Sequence, residues 1–149
     1  MYETVNEEII KELEEIVGKD GLILDEERML DYCHDEFSLP DIAHAPDVVV
    51  KPQSAQEIAD ILRLANRESI PVTPRGGATG LCGGCVASHG GILLSMERMD
   101  RIIEIDTVNQ MAVVEAGVTL RNFYEAVEER GLFFPPHPGE ESAMIGGVI

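Results

Sequence analysis

Apolar residues recur at helical spacing in some stretches of the chain and crowd into short unbroken runs in others. Ile9, Ile10, Leu13, Ile16 and Val17 share one face of a 3.6-residue period. Asn6 stands where a capping side chain is needed, Glu7 and Glu8 suit the positive end of the helix dipole, and Gly18 marks the stop. A shorter helix is expected from Asp25 to about Tyr32, with Met29 and Leu30 inward. Ser54 and Glu57 have the spacing of a capping box, and Ile58, Ile61, Leu62 and Ala65 follow as its core face. Thr119 heads a further helix with Leu120, Phe123, Tyr124 and Val127 inward and Gly131 at its end. The run "DVVVKP" is β-branched and closed by Pro52, which predicts a strand buried on both faces. "IPVTPR" is a second strand, so the order strand, helix, strand predicts a βαβ unit with the usual right-handed crossover. "GGILLSM", "RIIEID" and "MAVVEAG" continue as strands, the last two joined by a turn at "DTVNQ" into a hairpin. The final stretch, "FFPPHPGEESAMIGGVI", is rich in proline and glycine and shows no closing element.

This order predicts an α/β fold: a small parallel βαβ sheet flanked by helices, then the start of a second, incomplete lobe. At 149 residues, 44% hydrophobic and 26% charged, the chain has the size and composition of one globular domain. A formal net charge of -17 argues against nucleic acid and against acidic membrane surfaces, both of which need clustered Lys and Arg. No apolar run approaches the roughly 20 residues of a membrane span, and the first residues are acidic where a signal peptide is basic, so a cytoplasmic location is expected. Cys33, Cys82 and Cys85 lack the spacing of a disulfide framework, which agrees with a reducing compartment.

The stretch "PVTPRGGATGLCGGC", Pro71 to Cys85, follows directly on the second strand of the βαβ unit, where open α/β sheets collect their ligands. Gly76, Gly77, Gly80, Gly83 and Gly84 allow successive backbone N–H groups to enclose a phosphate, with Thr79 as a further donor and Arg75 as a local cation. A plain turn uses the same residues. Neither the Walker A spacing nor G-x-G-x-x-G at a helix start is present.

The ordered series "PVTPRGGATGLCGG", "GGILLSMERMDRIIEID", "AVVEAGVTL", "GLFFPPHPG" and "IGG" resembles the FAD-linked oxidases of the vanillyl-alcohol oxidase, or PCMH, type. The resemblance is to the branch of glycolate oxidase FAD-binding subunits and D-lactate dehydrogenases, and it runs from about Asp47 to Gly147. It implies an N-terminal helical segment over 1–46 and the N-terminal part of a FAD-binding PCMH-type domain over 47–149, cut short at Ile149. It further implies that Pro74, Arg75, Gly76, Gly77, Thr79, Gly80 and Leu81 wrap the FAD pyrophosphate. Pro136, Pro138, Gly139, Ile145, Gly146 and Gly147 are implied to lie along the flavin side. His137, Glu140 and Val148 depart from the acidic residue, Ser and Asn usual in the family, so no polar contact carries over to them. No histidine lies within the pyrophosphate loop, where some relatives attach flavin covalently, so noncovalent FAD is expected.

The implied reaction takes a hydride equivalent from the α-carbon of a small 2-hydroxy acid to FAD. Catalytic residues are not assigned, because the relatives carry them in a later domain. An electron-transfer or iron–sulfur partner subunit is left open. A second reading is a non-catalytic or split FAD-binding module that needs another chain. A third makes Cys82 and Cys85 a redox pair or half of a metal site. With no second ligand set evident, and with His34, His44 and His89 off metal-ligand spacing, these cysteines read as fillers of small-residue positions and no metal is expected.

Overall fold

The computed structural model describes residues 2–37, 39–136 and 138–149. The first helix, α1 (Glu7–Val17), starts where Asn6 accepts hydrogen bonds from the N–H groups of Glu8 and Ile9 at 2.9 and 3.0 Å, and it stops at Gly18. A 3-10 turn leads into β1 (Leu22–Ile23), followed by α2 (Glu26–Met29) under an Asp25 cap and a second 3-10 turn, Leu30–Tyr32. Next come β2 (Val48–Val50), α3 (Ala55–Arg67), β3 (Val72–Arg75) and β4 (Ile92–Ser95). The chain then forms a hairpin of β5 (Ile102–Asp106) and β6 (Met111–Val114), and ends with α4 (Leu120–Glu128) and α5 (Ile145–Val148).

The main sheet has the order β1-β2-β4-β3, with β2, β4 and β3 parallel and β1 antiparallel at one edge. It is the expected α/β sheet with one addition, since β1 was not foreseen. Between the two strands of the βαβ unit lies β4, hydrogen-bonded to both. Leu22, Val48, Val50, Ile92 and Leu94 belong to the core that contains Leu13 of α1 and Ile61 of α3, while Ile23, Val49 and Leu93 pack with Met29 and Ala87. Burial on both faces is why "DVVV" shows no apolar-polar alternation. Residues from the first 46 supply a helix and an edge strand to this same core.

Two inward assignments fail. Leu30 is 63% exposed, because the chain tightens from α-helix to 3-10 turn after Met29 and swings the next side chain outward. Leu62 is 46% exposed, and Leu64 takes its place in the core. On a helix Leu64 stands about 60° from Ile61 and Leu62 about 100° away on the other side, so only one can join the buried arc. The capping box also differs in detail: Ser54 Oγ accepts from the Glu57 N–H at 3.2 Å, but Glu57 accepts from the Gln53 N–H, at 2.8 Å.

The second lobe is built on the hairpin, whose Asp106 carboxylate accepts from the N–H groups of Val108 and Asn109 across the turn, and on α4, capped by Thr119. Val118, Leu120, Phe123, Val127, Ala143 and Ile145 form its core. Contrary to expectation, the last stretch does close, in α5. Its anchorage is non-local: the Leu120 N–H donates to the Ala143 carbonyl, and the Ile145 N–H to that of Val118, both at 2.8 Å.

Glu115 ties the open end of the hairpin. Its carboxylate accepts from the Arg101 guanidinium at 2.6 and 3.1 Å and from the Arg101 N–H at 2.9 Å. The hydrogen bonds from Arg101 hold its carboxyl below the usual range. A depressed folded-state value stabilises the fold above the unfolded value of about 4.3 and loses that contribution as pH falls through the lower one. Thermal melts of wild type and Glu115→Gln should therefore differ at neutral pH and converge in acid; a gap that does not change with pH contradicts this. Among the described residues, no helix is long and apolar enough to cross a membrane.

Candidate functional site

Among the described residues, two hollows stand out at the surface. One, of about 520 Å³, lies outside α4 and is lined by Arg121, Tyr124, Glu125, Glu128, Phe133, Phe134 and Glu141. Its carboxylates outnumber its one arginine, which is already paired with Glu141 at 3.3 Å, so its sign is wrong for a polyanion. The other, of about 730 Å³, opens beyond the carboxyl ends of β3 and β4, the place where parallel sheets bind ligands. Its size lies within the usual range of small-molecule sites, roughly 300–1,000 Å³.

The continuous stretch Pro74 to Cys82, with Gly84 and Cys85, makes one wall of this cleft, and Pro138, Glu140, Ala143, Met144, Gly146, Gly147 and Val148 make the other. The structure thus brings together Pro74, Arg75, Gly76, Gly77, Thr79, Gly80, Leu81, Pro138, Gly146 and Gly147. It does not bring in Pro136, Gly139 or Ile145. Ile145 is buried in the second-lobe core, Pro136 is exposed and its carbonyl accepts from the Tyr124 hydroxyl at 2.6 Å, and Gly139 is an exposed turn residue at φ 87°. His137 lies outside the described residues.

The backbone of the first wall is the chemical feature. Among the described residues, no protein acceptor meets the N–H groups from Gly76 through Cys82. The run is half-buried to exposed, so its amides are open to solvent, and consecutive amides lining a cleft are available to converge on an anion. Ala78 sits within the run at φ 57°, a left-handed conformation that costs a non-glycine residue about 1 kcal/mol and that collects at ligand sites. Gly80, Gly84 and Gly147 complete the picture: a Cβ added at any of them meets nothing within 4 Å, and none has a left-handed φ. The fold does not require glycine there. What the missing side chains leave is room for a ligand against the backbone, and a diphosphate-bearing cofactor fits a wall so made.

Gly77 is bare for a different reason, since a Cβ would stand 2.6 Å from the Ser142 carbonyl oxygen. The two walls touch at this point.

The Arg75 side chain is engaged within the protein. It is 8% exposed, and its guanidinium donates to the carbonyls of Asp31 and His34 at 2.7 Å each and to Cys85 Sγ at 3.4 Å, while lying 5.4 Å from the Tyr32 ring centroid. Burial, then the Glu97 carboxylate that its hydroxyl meets at 3.1 Å, push the Tyr32 phenol up to about 12 against the opposing charge of Arg75. Burial likewise raises the Cys33 thiol. Cys82 is exposed, Cys85 is half-buried, and both line the cleft. Among the described residues, no group of three or more His, Cys, Asp or Glu side chains is arranged to hold a metal ion.

Residues that sequence reasoning missed include Asp35, Met96, Ala116 and Met144. The position of Met96, one residue past β4, is the only signal that pointed to any of them.

Residues 46–149 match the FAD binding domain family. The chain belongs to that family. It is 38% identical over 148 residues to the D-lactate dehydrogenase of Anaerostipes hadrus, covering 99% of this chain and 31% of that protein. It is 34% identical over 146 residues to the glycolate oxidase subunit GlcD of Bacillus subtilis strain 168, covering 97% and 31%. Among solved structures, an alkyldihydroxyacetonephosphate synthase matches with a TM-score of 0.85 over 98% of this chain and 29% of that one, at 20% identity, a likeness of fold alone. The chain spans about a third of the length of these relatives. The resemblance read from the glycine and proline motifs therefore holds, and FAD is the cofactor of this domain.

Proposed function

We propose that this FAD-binding domain serves a flavin-dependent 2-hydroxy acid oxidoreductase and holds its cofactor noncovalently in the cleft between the two walls. The Gly76–Cys82 amides take the pyrophosphate, Thr79 adds a hydroxyl, and Pro138, Gly146 and Gly147 flank the flavin end. The observation that carries this reading is the run of N–H groups that meet no protein acceptor among the described residues. On a chain of net charge -17, backbone dipoles supply positive potential where basic side chains do not. When bound, FAD supplies the acceptor for a hydride equivalent from the α-carbon of the substrate. This chain's own part is to bind and orient. Pro138 stiffens one wall, and Met96, Ala116 and Val148 give the cleft apolar surface that excludes water. Similarity to a D-lactate dehydrogenase and to a glycolate oxidase subunit supports the substrate class.

Calorimetry with FAD, ADP and riboflavin tests the pyrophosphate assignment. FAD and ADP should bind, and riboflavin, which has no diphosphate, should bind at least about tenfold more weakly. Equal affinity for riboflavin, or no heat with FAD, overturns it. Acid precipitation of the loaded protein should release the flavin to the supernatant; flavin retained in the pellet contradicts noncovalent binding. In an oxidoreductase that contains this domain together with a substrate domain, anaerobic bleaching of the flavin by D-lactate or glycolate, with none by the corresponding carboxylic acids lacking a hydroxyl, supports the reaction, and no bleaching by any 2-hydroxy acid overturns it.

A further inference from the structure

Residues 31–36 precede the part of the chain that matches the FAD binding domain family. They are nevertheless fastened to both ends of the glycine loop. At the strand end, Arg75 donates to the carbonyls of Asp31 and His34. Mid-loop, the Glu36 N–H donates to the Ala78 carbonyl at 2.8 Å, at the residue with the left-handed φ. At the far end, the Gly83 N–H donates to Asp35 Oδ2 at 2.7 Å, and the other Asp35 oxygen accepts from the Phe37 N–H at 3.1 Å. Asp35 is 2% exposed and lines the cleft.

A carboxylate buried beside an anion site is electrostatically adverse to its ligand, so its presence needs a compensating task. The bonds supply one. A loop of this composition has many accessible conformations, and open amides form an anion site only while the backbone is held in one of them. We propose that the 31–36 segment is a clamp that preorganises the pyrophosphate loop, with Asp35 as its principal positioning residue. Asp35 makes no contact with the cofactor in this role. It acts by fixing Gly83, and through it the curvature of the preceding amides. The inference rests on the cleft being the pyrophosphate site, but the holding of the loop is measurable without FAD.

The test pairs amide hydrogen exchange of the apo protein with FAD calorimetry, on wild type, Asp35→Ala and Asp35→Asn. Asp35→Ala should speed exchange across 78–84, leave the α1 and α3 amides protected, and weaken FAD binding about tenfold or more. Asn keeps one acceptor oxygen, a weaker one than the carboxylate's, and should give an intermediate result, with exchange at Gly83 faster than in wild type and slower than in Asp35→Ala. Loop exchange and affinity both equal to wild type in Asp35→Ala overturn the clamp, as does equal loss across all of the core amides. Should Asp35→Ala fail to fold, Asp35→Asn decides: faster exchange at Gly83 supports the clamp and unchanged exchange overturns it. A wild type that binds no FAD refutes the site reading, and the exchange arm still judges the clamp.

Discussion

Replacing Gly80 with valine should abolish FAD binding and leave the melting temperature unchanged. The backbone at Gly80 is not left-handed, and a Cβ there meets no protein atom within 4 Å, so the fold accepts a side chain. The ligand does not. A β-branched group stiff at χ1 would stand where the pyrophosphate must approach the amides, and losing that approach should cost at least about a hundredfold in affinity, near 2.7 kcal/mol. Gly77→Ala gives the opposite pattern. Its Cβ would press on the Ser142 carbonyl, so the walls must separate and stability falls along with binding. Calorimetry and thermal denaturation of the two variants separate glycine kept for a ligand from glycine kept for packing. A Gly80→Val protein that binds FAD like wild type refutes the arrangement.

Arg75→Met should destabilise the protein by about 3 kcal/mol, whether or not FAD is present. The guanidinium is nearly buried and bonded to two carbonyls, each at 2.7 Å, and hydrogen bonds from charged donors are among those that contribute most. Methionine fills much of the volume but leaves both carbonyls without their donor. Lysine should not rescue the loss, because one ammonium on a flexible stem lacks the planar fork that spans two acceptors. Denaturant unfolding measures the change; stability within about 0.5 kcal/mol of wild type in Arg75→Met would show that the clamp's inner bond contributes little.

Features whose cause is local were legible in the sequence. The Asn6 and Thr119 caps fall where they were placed, because a cap needs only its own first turn, and Val48–Val50 announced a strand buried on both faces. The hairpin of β5 and β6 follows from its turn. Features made by distant partners were hidden. β1 is a two-residue strand defined by its pairing with β2, and α5 is held by backbone bonds to 116–118. Arg75 shows the same limit within the site. Composition puts a cation at a phosphate loop, whereas its acceptors lie 41 and 44 residues away in sequence. The glycines were recognised together as bare backbone, yet only the structure separates Gly80 and Gly84, open to the cleft, from Gly77, packed against the other wall. Asp35 carried no motif that could have marked it.

The most direct measurement is an amide-resolved NMR titration of the 149-residue chain, first with inorganic pyrophosphate and then with FAD. Both ligands should move the N–H resonances of Gly76 through Cys82, and FAD alone should also move those of Ala143 through Val148. Loop resonances that stay fixed while FAD binds, with shifts gathered instead around Arg121, Tyr124 and Phe133, would contradict a pyrophosphate held by these amides.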